Sequence, residues 1–411
     1  MKSGLFKSRN FLGLWLLSVV STATFSIASM TETLYAINVL HKESEFGLVL
    51  ICGSLPRILF MMIGGVLADN LEKVHVVFLS FAARGLLLLG MAALIVTGHF
   101  SFGMVLGLAL LYGLMDAIYL PAREAFLYQI IEEQYVSQGI SALITTGQIC
   151  SVISPAIAGL LLLHFDYAEI FVAIGVLLMM AGASMYTFER DRTVGNTGAR
   201  RLLGGGGLRY LVSELKDGLS YIRHHPQFSV LMPLFAIANM LSAGPLQQSV
   251  PLLASSELAG NTAAYGTLWS CFAAGSAVGG IWISTRRQIN RKFLFIVYML
   301  LAESLLLAGL ALATNVIAGV AVMFLIGFCI SLNNLPVNYM LQAYADKDRI
   351  GRLLGVHDTL TVGLAPVSYL LVLGLLMLGV HYKVILVFAG VSMFLFCLTM
   401  MKRFPIIRTT E

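Results

Sequence analysis

At 411 residues, 58% hydrophobic and only 11% charged, with a mean hydropathy of +0.86, the chain falls far below the about 25% charged residues of soluble domains and reads as an integral membrane protein. About twenty apolar residues cross the hydrocarbon, so twelve such stretches and their short loops use most of the length and exclude a large soluble domain. The net charge of +5 does not point to nucleic acid, because the positives are scattered over short connections rather than gathered on one face.

The apolar stretches run over 11–38, 46–68, 74–97, 101–122, 139–163 and 168–188, then 228–254, 262–284, 292–313, 316–340, 354–379 and 382–401, each predicted to be a spanning helix. The opening MKSGLFKSRNFLGLWLL has no small-residue cleavage site near residue 25, so the first stretch is read as a span rather than a removed signal. Every Lys and Arg except Lys42, Arg57, Arg84 and Lys383 falls in the N-terminal tail, the even-to-odd connections or the C-terminal tail. Positive charge marks the cytoplasmic side, which predicts a multi-pass protein of the inner membrane with both termini in the cytoplasm.

One long connection, 189–227, carries Arg190, Arg192, Arg200, Arg201, Arg209, Lys216 and Arg223, and its Gly204 to Gly207 run marks a joint. Beyond it Leu208, Leu211, Val212, Leu215, Leu219 and Ile222 recur at helical spacing, predicting an amphipathic helix at the membrane surface. The expected organisation is therefore an N-terminal six-helix bundle over 1–190, a linker over 191–227 and a C-terminal six-helix bundle over 228–411. Cys52, Cys150, Cys271, Cys329 and Cys397 lie within apolar stretches without close spacing, so neither a disulfide framework nor a metal site is indicated.

The halves echo one another, as an internal duplication would leave them. LPAREAFLYQIIEEQ leads to SPAIAG in the first half and LPVNYMLQAYADKD to APVSYL in the second, placing Pro121 and Pro155 opposite Pro336 and Pro366. With these features the chain resembles the major facilitator superfamily, whose fold is all-helical, with twelve membrane helices in two bundles related by pseudo-two-fold symmetry. GGVLADNLEK is similar to that family's G-x-x-x-D-R-x-G-R-R loop, with Gly65, Asp69 and Lys73 matching and Asn70, Glu72 and Val74 departing from it. The resemblance implies that Asp69 faces the N-terminal end of span 11 in one conformation and biases the inward/outward equilibrium; the plainer reading is a helix cap. The second copy, GGIWISTRR, has Ser284 in place of the acid. In span 5, Cys150, Ser154, Pro155, Ala158 and Gly159 resemble the antiporter motif of the family's exporters. YLPAREAFL, EEQYVSQGISAL and ELKDGLSYIRHHP resemble the branch holding enterobactin-type siderophore exporters and macrolide efflux proteins.

An ionisable group in hydrocarbon costs roughly 2.5 to 3.5 kcal/mol on insertion scales, so it usually faces a cavity or a partner. Glu32 falls toward the periplasmic end of span 1, Arg57 and Arg84 near mid-membrane, and Asp116 and Asp358 nearer the cytoplasm. In the family that the chain resembles, spans 1, 4, 7 and 10 line the cavity, which implies that Glu32 and Asp116 exchange protons with Arg57 or Arg84 as the alternating partner. Desolvation favours a protonated carboxyl and a nearby guanidinium an ionised one, so an arginine that moves away drives proton uptake. A permanent ion pair between Arg84 and Asp116 is the alternative. Asp358 is either a further coupling group or solvated beside the 346–352 loop, Glu303 is read as an interhelical or peripheral group, and His357 as a hydrogen-bonded core residue.

Tyr35, Tyr119, Asn239, Gln247, Asn333, Asn334 and Tyr369 mix aromatic and amide character on the spans expected to line the cavity, which suits an amphipathic cargo; interhelical hydrogen bonding is the competing reading. The expected function is proton-coupled efflux of an organic small molecule, a siderophore or a hydrophobic drug such as a macrolide. A lysophospholipid or other lipid transporter is the alternative, and a non-transporting receptor or scaffold a third. No phosphate-cradling GKS or GKT, HExxH or G-x-S-x-G stands in the chain, so no enzyme is expected. No cofactor beyond the proton gradient is expected, and the expected partners are small-molecule cargo and membrane lipid around a monomer.

Overall fold

The structure is a computed structural model describing residues 8–70, 72–187, 220, 222–256, 262–285, 291–344, 357 and 363–404. Among them every regular element is helical. The twelve α-helices are α1 (Arg9–Asn38), α2 (Gly47–Asn70), α3 (Lys73–Val96), α4 (Phe102–Ile130), α5 (Glu133–Leu161), α6 (Tyr167–Ala183), α7 (Pro226–Ser256), α8 (Thr262–Thr285), α9 (Lys292–Leu310), α10 (Val316–Tyr344), α11 (Ala365–Met377) and α12 (Tyr382–Arg403). Nine helical segments among the described residues are long and apolar enough to cross a membrane, with shorter apolar segments at Gly47–Phe60 and Ala365–Met377. Val96, Leu312, Ile317 and Leu378 are all more than 75% exposed, which suits a lipid-facing surface rather than water.

Local chemistry sets the helix ends. Ser8 Oγ accepts from the Phe11 N–H at 3.4 Å to open α1. Asp166 and Glu169 form a reciprocal capping box at the start of α6. Gly98 and Gly379 take positive φ just past α3 and α11, where a residue with a Cβ would be strained. Lys402 and Arg403 sit in the last turn of α12, where they complement the helix dipole.

The chain forms two compact units, Met1–Lys42 with Val49–Arg209, and Glu43–Leu48 with Tyr210–Glu411. Within each, the helices repeat one packing scheme. In the first unit α3 lies on α6 and α4, and α1 on α5; in the second α9 lies on α12 and α10, and α7 on α11. The α2–α4 and α8–α10 crossings complete the correspondence. Gly113 of α4 meets the backbone of Gly53 on α2, while Gly275 of α8 and Gly327 of α10 meet the backbones of Phe324 and Phe272. A Cβ at any of these positions collides with main-chain atoms, so only glycine allows the approach.

Several expected boundaries change. α5, expected from 139, opens at Glu133. α4 runs past 122 to Ile130, because Arg123 and Glu124 end the hydropathy without breaking the helix. α6 becomes a 3-10 turn over Ser184–Thr187. The Gly65-to-Lys73 segment, expected as a loop, is helical through Asn70, with Lys73 already opening α3. Of the surface helix expected over 208–222, only residues 220 and 222 are described, and both are helical.

Candidate functional site

Four helices of the first unit bring together the charges that sequence placed inside the membrane. Asp116 on α4 receives Arg84 Nη1 of α3 at 3.0 Å and faces Arg57 Nε of α2 at 3.2 Å. Helical spacing and the glycine crossing account for the register: Arg57 stands one turn beyond Gly53 and Asp116 about one turn beyond Gly113, so the contact between the two backbones carries both side chains toward each other. Ser21 of α1 closes the site.

The two arginines are held differently. Arg84 is 0% exposed, and besides Asp116 it donates through Nη1 to Ser21 Oγ at 2.9 Å and through Nε to the Ser80 carbonyl at 3.1 Å. Its guanidinium lies 4.8 Å from the ring centres of both Phe81 and Tyr119 and 5.8 Å from Tyr112. Those rings come from its own helix and from α4, at spacings of three or four residues from Arg84 or Asp116, so the sequence carried a signal for them; Ser21 has none. Arg57 is 36% exposed, approaches Asp116 through Nε and rests 5.4 Å from the Phe25 ring. Arg84 is therefore the more enclosed of the two cations and Arg57 the more exposed. Both arginines offered by the sequence as partners of Asp116 meet it, as the alternating-partner and the permanent-pair expectations alike require.

Glu32 is buried on α1 at 4% exposure, and no hydrogen bond or ion pair reaches it from a described residue. It is not brought onto either arginine. Asp358 lies outside the described residues; Gly65 and Asp69 are described as helical backbone alone, so the loop motif's one described side chain is the partly exposed Lys73. On α5, Ser154 and Gly159 are buried, Pro155 lies inside the helix, and the helix packs on α1. Trp15 Nε1 ties these two helices by donating to Thr146 Oγ1 at 2.9 Å.

The expected cargo residues divide. Tyr119 belongs to the charged site, its hydroxyl 3.4 Å from Ser18 Oγ. Tyr35 is buried in an aromatic cluster instead, 5.3 Å from both Phe100 and Tyr167. In the second unit Asn333 is 2% exposed and donates through Nδ2 to Glu303 Oε2 at 3.0 Å, an interhelical bond between α10 and α9. The Tyr369 carbonyl accepts from Gln248 Nε2 at 2.9 Å. Asn239 and Gln247 are partly exposed on α7, and Asn334 is exposed on α10. A cavity of about 280 Å³ opens between α1 and the end of α6, lined by Arg9, Asn10, Leu16, Leu17, Val20 and Ser184 among others, and contains none of these residues.

Residues 14–367 match the Major Facilitator Superfamily: the chain belongs to that family, and is a membrane transporter rather than an enzyme. It is 22% identical over 372 residues to the uncharacterized MFS-type transporter YfiS of Bacillus subtilis (strain 168), covering 85% of this chain and 80% of the relative. It is 22% identical over 306 residues to the Staphyloferrin A transporter of Staphylococcus aureus (strain NCTC 8325 / PS 47), covering 73% and 71%. Among solved structures it is similar to a POT family transporter in complex with 5-aminolevulinic acid, with TM-score 0.70, 12% identity and 98% and 97% coverage. A bacterial homolog to the human lysosomal transporter Spinster, inward-facing and occupied, gives TM-score 0.67, 13% identity and 100% and 98% coverage.

Proposed function

We propose that the chain is a proton-coupled exporter of an amphipathic organic small molecule, a siderophore or a hydrophobic drug such as a macrolide, working by alternating access across the inner membrane with both termini in the cytoplasm. The observation that carries this is the asymmetry at Asp116. Each arginine meets one carboxylate oxygen, but Arg84 is enclosed and bonded to Ser21 and Ser80 as well, whereas Arg57 is partly exposed. Withdrawal of Arg57 leaves Asp116 with less positive charge about it and favours proton uptake; return of Arg57 expels the proton. The outward direction is supported by the exporter-like Ser154, Pro155 and Gly159 segment on α5. The siderophore reading is compatible with the relative named as a Staphyloferrin A transporter.

Inverted membrane vesicles with an imposed proton gradient test it, with a siderophore, a macrolide and a lysophospholipid offered as cargo. Gradient-dependent movement of the siderophore or the macrolide is expected, lost in Asp116→Asn and in Arg57→Gln. Movement of the lysophospholipid alone would turn the reading to lipid transport. Cargo movement indifferent to the gradient would end the coupling mechanism.

A further inference from the structure

The second unit holds a buried acid that the Asp116 mechanism does not use. Glu303 is 4% exposed on α9, and its one hydrogen bond among the described residues is the 3.0 Å bond from Asn333 Nδ2. No lysine, arginine or histidine among the described residues lies within ion-pair distance of it. α7, packed against α9, contributes no ionisable side chain at all; α10 and α12 contribute the thiols of Cys329 and Cys397. Around them is a closed apolar core including Phe228, Phe235, Leu300, Leu301 and Met393.

Two further observations bear on what this group does. The other amide atom, Asn333 Oδ1, is buried and has no hydrogen-bond partner among the described residues. An amide facing a carboxylate is satisfied on its N–H side only, whereas an amide facing a carboxylic acid makes two reciprocal bonds, N–H to carboxyl oxygen and O–H to amide oxygen. A protonated Glu303 whose second oxygen faces the amide would supply the donor that Asn333 Oδ1 lacks. With the amide turned end for end, its oxygen would face the carboxyl and require the same proton. Position in the repeat is the other observation. Glu303 stands eleven residues beyond Lys292, which opens α9, as Arg84 stands eleven beyond Lys73, which opens α3, and each bonds a polar residue on the next helix, α10 or α4. The two units place a polar pair at corresponding positions, one built of arginine and aspartate, the other of glutamate and asparagine.

We infer that Glu303 and Asn333 form a second proton-carrying site, located in the C-terminal unit, bearing its proton in the conformation seen here and releasing it in another. The inference rests on the proton-coupled reading but is separable from it, because occupancy of Glu303 is measurable without cargo. When Glu303 loses its proton, the reciprocal bond from acid to amide is lost and an anion is left among apolar side chains, so release requires water or a cation to reach α9.

Infrared difference spectroscopy on the purified full-length protein, in ordinary and heavy water, reads the site directly. A protonated carboxyl band that is sensitive to deuterium is expected in the wild type. It should disappear in Glu303→Gln, persist in Glu32→Gln and Asp116→Asn, shift in Asn333→Ala, and bleach as the buffer is taken from mildly acid to alkaline. Glu303→Gln keeps an amide able to donate to Asn333 Oδ1, so this variant is expected to fold, and it should move one proton fewer per cargo in vesicles. A band unchanged by Glu303→Gln, or one that never bleaches across the pH range, overturns the proposal. Loss of gradient-driven efflux in Asp116→Asn with the Glu303 band intact speaks to the coupling reading alone.

Discussion

At the scale of single residues, the site distinguishes two arginines that sequence treated alike. Replacing Arg84 by methionine leaves Asp116 buried with weakened compensation and removes the bonds to Ser21 and Ser80, a change of the kind that costs about 3–5 kcal/mol. Thermal unfolding of the detergent-solubilised protein should show that loss. Arg57→Gln should unfold within about 1 kcal/mol of the wild type, as expected for a partly exposed pair, and fail only in gradient-driven transport. Arg57, Arg84 and Asp116 were legible because a charge in an apolar stretch is conspicuous in any one-dimensional reading. Their mutual geometry was not, because it depends on helices far apart in the chain. Tyr35 and Asn333 show the limit from the other side: tyrosine and asparagine serve cavity and interhelical contact equally well, and only packing decides between them.

Among the elements, the tightest constraint is the helix crossing at α8 and α10. Gly275→Val puts side-chain carbon into the Phe324 main chain, and Gly113→Val does the same at Gly53, so both variants should lose folded protein on size-exclusion chromatography. Gly107→Ala, where a Cβ meets nothing within 4 Å, should behave as wild type or gain slightly in stability. Either crossing variant retaining normal yield and melting temperature would show that the helices separate more easily than their backbones indicate. Most helix limits could be read from hydropathy to within a few residues, because apolar runs and helices end together at polar turns. α4 is one exception with a physical cause: helix propensity continues through Arg123 and Glu124 after hydrophobicity stops.

For the molecule as a whole, the charge asymmetry makes a topological prediction. Reporter fusions at the N terminus, within 189–227 and at the C terminus should all report the cytoplasm, and a fusion after Lys42 the opposite side. The duplication was faint in sequence, carried by two proline pairs, and becomes plain in the matched packing of α3 with α6 and α9 with α12, since the architecture preserves neighbours while side chains diverge. The crossing of α2 and α4 also bears on the proposed switch at Asp116. Because their backbones touch at Gly53 and Gly113, about one turn from Arg57 and Asp116, these two helices cannot close further, and the spacing of the two charges at this level is set by side-chain rotamers. On that proposal a rotamer change of Arg57, of the kind partly exposed side chains make on the picosecond-to-nanosecond scale, opens the pair without any movement of whole helices.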